Sequence, residues 1–326
     1  MLKKILVYSL VLMITSLSQT LAQSNILLVL NKAENNLAFV DADSMKAIGK
    51  VPVGDGPHEV VFSADGKMAF VSNYGAQTPG SSISVIDVVN RKELRRVDVS
   101  PLMRPHGLVV LGGKLYFTAE VNRLVARYDP VANKIDWLMG TGQNGSHMIV
   151  VSADQKRIYT SNIGSDSITA FEFNSVPPAG SRLSHISVGK QPEAIDLSPN
   201  GREVWVGLNV DGGVDIVDTS TLKPIQRVGL GGRPYRVRFT PDGKRVLFTM
   251  LASKEIILYD AESRKEISRI KLEQVPMGVA FSPDGKTVFV SAVQPDGVLK
   301  VDLEKMVIKG RVETGVAPDG IAYFGK

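Results

Sequence analysis

Cysteine is absent from the 326-residue chain. That absence excludes disulfides, c-type haem attachment, thiolate zinc sites, blue-copper sites, thiol nucleophiles and acylation of a lipoprotein N-terminus. Stability therefore rests on packing alone. Histidine is scarce, with four residues in all, and there is little excess of one charge: 38 basic residues stand against 33 acidic ones. So small a balance argues against a nucleic-acid partner, whose footprint is a strong basic patch. Walker loop, dinucleotide fingerprint and G-x-S-x-G elbow are all missing, so no nucleotide cofactor is expected. Past the first residues no apolar run reaches transmembrane length.

The chain opens "MLKKILVYSLVLMITSLSQTLAQS". Two lysines, an apolar run of about a dozen residues and a small-residue end at Ala22 have the form of a secretory signal peptide. Residues 1–22 are expected to be removed, leaving a periplasmic or secreted protein with no stable membrane span and a single domain over 23–326. Lys3 and Lys4 leave with the leader, which narrows the charge excess further.

What the chain has in abundance is repetition. "GPHEVVFSADGKMAFVSN" from residue 56 is echoed by "RPHGLVVLGGKLYFTAE", "GSHMIVVSADQKRIYTSN", "QPEAIDLSPNGREVWVGLN", "RPYRVRFTPDGKRVLFTM" and "VPMGVAFSPDGKTVFVSA", and "APDGIAYFGK" ends the chain. The basic residue after each turn recurs at Lys67, Lys114, Lys156, Arg202, Lys244, Lys286 and Lys326, with gaps of 47, 42, 46, 42, 42 and 40 residues. Each unit reads as four short strands, and its Asp-Gly or Asn-Gly pairs supply the positive φ angles of tight hairpins. The expected fold is all-β: a seven-bladed β-propeller of four-stranded blades. The last unit has one strand and the mature N-terminus supplies three, so the C-terminal strand is expected to complete the N-terminal blade and close the ring. Closure removes free sheet edges.

The "SPDGK" turn, the "VFVSA", "FVSN" and "YTSN" second strands and the "SVID" third strand resemble the YVTN-repeat propellers of the YncE-like exported group. The resemblance spans residues 25 to 326. Asn31, Asn73 and Asn162 hold the family's asparagine position, whereas Ala119, Leu208, Met250 and Ala292 depart from it. The resemblance implies a monomeric extracytoplasmic propeller. Such propellers include binding proteins, surface proteins and quinoprotein dehydrogenase heavy chains, so fold does not settle function.

In a propeller the loops entering the inner strands and those joining second to third strands share one face around the channel. The position after the proline is then a ring at the channel mouth: His58, His106, His147, Glu193, Tyr235, Met277 and Asp319. Three of the four histidines fall in it, on consecutive units. They could hold a divalent metal (Zn, Cu, Ni or Fe) with water or Glu193 completing the shell. They could instead contact a polar ligand directly, or bond to neighbouring loops and organise the blade junctions. Arg104, Arg233 and Arg236 could clamp a carboxylate or phosphate. Asn73, Tyr74, Glu120 and Asn162 are further candidate ligand-binding residues on the same face. No catalytic residue is assigned.

"HEVVF" lacks the second histidine of a zinc-protease motif, "NVDGGVD" has neither the length nor the final glutamate of a calcium loop, and His185 belongs to an outer strand. Three functions follow: an exported binder of a small molecule or metal, a metal-dependent hydrolase or lyase of lactone-like substrates, and a scaffold for another extracytoplasmic protein.

Overall fold

The computed structural model describes residues 25–174 and 181–325, and the expected leader over residues 1–22 lies outside the described residues. Twenty-eight strands, numbered in chain order, form seven four-stranded antiparallel sheets. Strand β28 (Pro318–Phe324) pairs with β1 (Ile26–Asn31), which continues to β2 (Asn36–Asp41) and β3 (Lys46–Pro52). The ring is thus closed by joining the two ends of the chain, as the repeat demanded. No helix among the described residues is long and apolar enough to cross a membrane.

The inner strands are β4 (Pro57–Phe62), β8 (Pro105–Leu111), β12 (Ser146–Val151), β16 (Pro192–Leu197), β20 (Pro234–Phe239), β24 (Val275–Phe281) and β28. They head blades 1 to 7 in that order. The hairpins leaving them follow from the repeated turn: in "SPDGK", Ser282 Oγ donates to Asp284 Oδ1 at 2.6 Å and accepts from the Thr287 amide at 3.0 Å, while Gly285 takes φ +66°. That left-handed conformation is why glycine follows the acid.

The second and third strands of each blade are buried on both faces, and the apolar clusters lie between blades. One joins Phe70, Ile83 and Val85 of blade 1 to Leu115, Phe117 and Tyr128 of blade 2. Each blade therefore completes its neighbour's core, which is why a propeller is stable only as a closed ring.

Two devices aim the mouth residues. In every inner strand the register slips by one residue just after its first position: Pro57 faces Asn73 but Val60 faces Val71, and the same shift recurs in the other six blades. The ring position lies inside this bulge, a feature that redirects side chains. Second-strand hydroxyls then staple adjacent blades. Thr118 Oγ1 donates to the His147 carbonyl at 2.6 Å, Ser161 Oγ to that of Glu193 at 2.6 Å and Thr249 Oγ1 to that of Met277 at 3.0 Å.

Close approach of inner strands also needs glycine. A Cβ on Gly320 would run into the His58 carbonyl, and one on Gly278 into the Asp319 carbonyl. Both obstacles are backbone, so neither can swing aside. Gly320→Ala is expected to cost about 1–3 kcal/mol in urea unfolding. A cost below about 0.5 kcal/mol would show that the mouth strands are free to separate.

Candidate functional site

The structure brings the three histidines together as the repeat required. The His58 and His106 ring centroids are 5.1 Å apart, and those of His106 and His147 are 3.8 Å apart. They form a leaning stack and not a cage. Among the described residues no group of three or more His, Cys, Asp or Glu is arranged to hold a metal ion.

Their hydrogen bonds give the physical reason. His58 Nδ1 bonds the Gly56 carbonyl at 2.8 Å, and its Nε2 faces the Lys32 ammonium at 3.2 Å. The ring is therefore read as the Nδ1–H tautomer, with Nε2 accepting from lysine. An ammonium stands where a divalent ion would have to be. His147 Nδ1 donates to Glu120 Oε2 at 2.9 Å, and its Nε2 looks toward Glu193 Oε1 at 4.0 Å. The metal centre expected at His58, His106 and His147 is therefore not formed as a ligand group among the described residues.

His106 is the middle ring, 3% exposed, and its Nδ1 has no hydrogen-bond partner. Burial, followed by the neighbouring His147 and His58, holds its pKa well below the ordinary imidazole value. Burial, and then the Lys32 charge, lowers that of His58 to about 4. Both rings are neutral at pH 7.

Around this stack the mouth carries paired charges. Tyr74 lies against His58 at 4.4 Å, gives its hydroxyl to Glu120 at 3.1 Å, and is covered by the Arg104 guanidinium at 4.5 Å. Burial would raise the Glu120 pKa, but the His147 hydrogen bond and charge overcome it, so this carboxyl titrates below its usual range. Glu193 is buried, accepts from Arg233 Nη2 at 3.2 Å, and is bonded by the Asn209 amide. Asp319, 1% exposed, accepts from Lys32 at 3.3 Å and from the Tyr235 hydroxyl at 2.9 Å. Burial, then the Asp319 carboxylate, raises the Tyr235 pKa well above the ordinary phenol value.

The clamp of three arginines is corrected in one member. Arg233 and Arg104 line the rim, but Arg236 is buried and bonds Glu59, with Asp319 at 3.9 Å. Burial would lower the Arg236 pKa, and the Glu59 charge more than reverses that. Glu59 and Arg236 come from blades 1 and 5, so this ion pair crosses the channel beneath the histidines.

Asn73 and Asn162, expected from the sequence as ligand-binding residues, bond within the protein. Asn73 accepts from the Gly54 amide at 3.0 Å and donates to Ser82 and Ser84, both at 3.0 Å. Asn162 accepts from Ser146 Oγ at 3.0 Å and donates to Ser167 and Thr169. Each is buried and spent on tying its own blade together. His185 lies on the outer strand Ser181–Ser187, where its Nε2 meets the Thr141 carbonyl at 2.8 Å.

Lys32 escaped the sequence reading, although the repeat contained the signal for it as it does for the Glu59 and Arg236 pair. Lys32 follows Asn31 as Tyr74 follows Asn73; it was missed because that second strand of blade 7 lies at the start of the chain. Glu59 and Arg236 each follow a ring residue, and they are the charged members at a position otherwise held by Gly107, Met148, Ala194, Gly278 and Gly320.

Seven closed four-stranded blades around a channel define a seven-bladed β-propeller. The YncE-like β-propeller model matches residues 176–324, and a seven-bladed lactonase propeller model matches residues 125–224. The chain is a seven-bladed β-propeller that is similar to the YncE-like propellers over residues 176–324. No curated protein matches it. Among solved structures it is similar to a functionally unknown protein from Desulfotomaculum acetoxidans, with TM-score 0.79, 14% identity, and coverage of 92% of this chain and 99% of that one. A candidate 6-phosphogluconolactonase from Bacteroides uniformis gives TM-score 0.77, 14% identity, and coverage of 93% and 100%. Kuenenia stuttgartiensis hydrazine synthase gives 0.71, 19%, 82% and 89%. At these identities the likeness is one of fold.

Proposed function

We propose that this is an exported, monomeric propeller that binds a small oxygen-rich anion, a sugar acid or its phosphate ester, at the histidine mouth without a metal. The observation that carries the reading is a pair of buried, unpartnered polar atoms in the wall of one mouth, His106 Nδ1 and Asn209 Oδ1. Buried polar groups are nearly always satisfied, and leaving one unpaired costs about 1–3 kcal/mol. The two come from blades 2 and 4, and the hydroxyls of a sugar acid could satisfy both. Lys32, Arg104 and Arg233 stand at the rim opposite Asp319, Glu120 and Glu193, and guanidinium forks suit carboxylate and phosphate oxygens. The export component of the reading rests on residues 1–22.

The test is calorimetric titration with 6-phosphogluconate, with glucose as the neutral control. The expected result is saturable binding of the acid alone, weakened at least tenfold by joint Arg104→Ala and Arg233→Ala substitution. Failure of the acid to bind, or equal binding by the rim variant, would sink the proposal.

One observation favours a second reading, hydrolysis of a lactone. Glu120 accepts from His147 Nδ1 at 2.9 Å and so orients the ring with Nε2 toward Glu193 Oε1 at 4.0 Å. An imidazole so oriented can take a proton from water as it adds to a lactone carbonyl, and such assistance is typically worth 10²–10⁴-fold. The lactonase propeller match covers both His147 and Glu193. Turnover of 6-phosphogluconolactone above its spontaneous rate, lost in His147→Gln, is the expected result for that reading. Binding without turnover leaves the first reading and removes the second.

A further inference from the structure

Below the Glu59 and Arg236 ion pair the channel opens into a cavity of about 500 Å³. It reaches the opposite face of the ring from the histidines, where the inner strands end at Phe62, Leu111 and Leu197. A second hollow of about 440 Å³ shares Val60, Phe62, Asp196 and Arg238 with it and widens the outlet. Val, Leu, Ile and Met supply 15 of the 26 lining residues. The polar side chains in the lining are those of Glu59, Asp196, Ser198, Arg236 and Arg238.

Two of those polar groups are cations on one strand. Arg236 stands at the inner end, buried, with Nη2 on Glu59 and Nη1 without a hydrogen-bond partner. Arg238, two residues further along β20, is exposed in the channel and makes no hydrogen bond or ion pair among the described residues. The acids facing them are already engaged. Glu59 holds Arg236, and Asp196 accepts from the Phe239 amide at 2.8 Å and the Leu197 amide at 3.0 Å. An apolar chamber of this size with a few fixed polar groups is the usual form of a small-molecule site.

We infer that the lower channel is a second binding site, for an amphipathic organic anion whose carboxylate is held by Arg236 and Arg238 and whose aliphatic body lies along the Val, Leu and Ile walls. The three strand residues below Glu59 give a depth of about 10 Å, which suits an alkyl chain of medium length. The argument uses no feature of the histidine mouth, so it stands or falls apart from the function proposed above.

The experiment uses the whole mature protein and octanoate, with octanol and octylammonium as neutral and cationic arms. Octanoate should bind saturably by calorimetry and raise Tm, with octanol at least tenfold weaker and octylammonium without effect. Arg238→Gln should weaken octanoate at least tenfold, and Val109→Trp, which fills the cavity wall, should abolish it. His106→Phe at the mouth should leave it unchanged. Should Val109→Trp fail to fold, Arg238→Gln carries the test. Absence of saturable octanoate binding, equal binding of all three probes, or loss of binding in the mouth variant with retention in the channel variants would each overturn the inference.

Discussion

Lowering the pH from 7 to 5 is expected to remove about 4 kcal/mol of stability through His58 and His106 alone. Each is an imidazole whose folded pKa lies below its ordinary value of 6.5, to about 4 for His58 and well below for His106. The unfolded chain therefore binds protons that the folded chain refuses. Stability from such a group is fully present above pH 6.5 and is lost as the pH falls from there toward the folded value, at about 1.4 kcal/mol per pH unit for each ring. Two rings over the upper part of that window give the figure stated. Buried acids act with the opposite sign. Burial raises the pKa of Glu59 and of Asp196, so each takes up its proton earlier in the folded protein and offsets part of the loss. Turn carboxylates such as Asp218, lowered to about 2 by Ser220 and Thr221, act only below pH 4.

The share of the histidines is isolated by comparing variants over the pH 6.5 to 5.5 interval, below their ordinary value. Urea unfolding across it should slope more steeply for the natural chain than for the His58→Gln, His106→Phe double variant. Equal slopes in the two proteins would mean that the stack is hydrated and its rings titrate normally.

Seven similar units, the order of strands in each, and the ring closure through β28 were all legible, because they depend on alternating burial and on turn residues that repeat every 40 to 47 positions. So was the meeting of His58, His106 and His147, since equivalent positions of a closed ring must converge. What the rings do there was not. A metal cage and a stack contain the same residues, and the choice between them was made by Lys32, a side chain from the other end of the channel wall in sequence. The bulge at each ring position was also invisible, because one extra residue opposite a strand leaves the alternation of apolar side chains almost undisturbed. Asn73 and Asn162 were ambiguous for a related reason: a polar residue at the end of a buried strand signals satisfied hydrogen bonds as readily as a ligand contact. The lower cavity left no motif at all, being the space enclosed by seven ordinary apolar strands.

Arg236→Met is expected to destabilise the protein by about 3–5 kcal/mol, the range for removing one partner of a buried ion pair. The loss arises chiefly from what stays behind. Glu59 would keep its burial without its compensating cation, and Asp319 would lose the guanidinium at 3.9 Å while retaining Lys32 and the Tyr235 hydroxyl. Glu59→Leu should cost a similar amount, since it abandons the Arg236 guanidinium in a site where Nη1 is already unpartnered. Replacing both at once removes the two charges together and fills the crossing point with apolar atoms, so the double variant should lie within about 1 kcal/mol of the natural protein. The four proteins make a double-mutant cycle, and the coupling read from it should be several kcal/mol. The cycle also bears on the channel itself. The pair is the partition between the polar mouth above and the apolar chamber below, with Glu59 and Arg236 both in the wall of the latter. If water from the chamber solvated the pair freely, either single substitution would cost less than about 1 kcal/mol, as exposed salt bridges do. A large single cost with a small double cost is the signature of a dry partition, and it is the condition under which two ends of one channel can bind two different ligands independently.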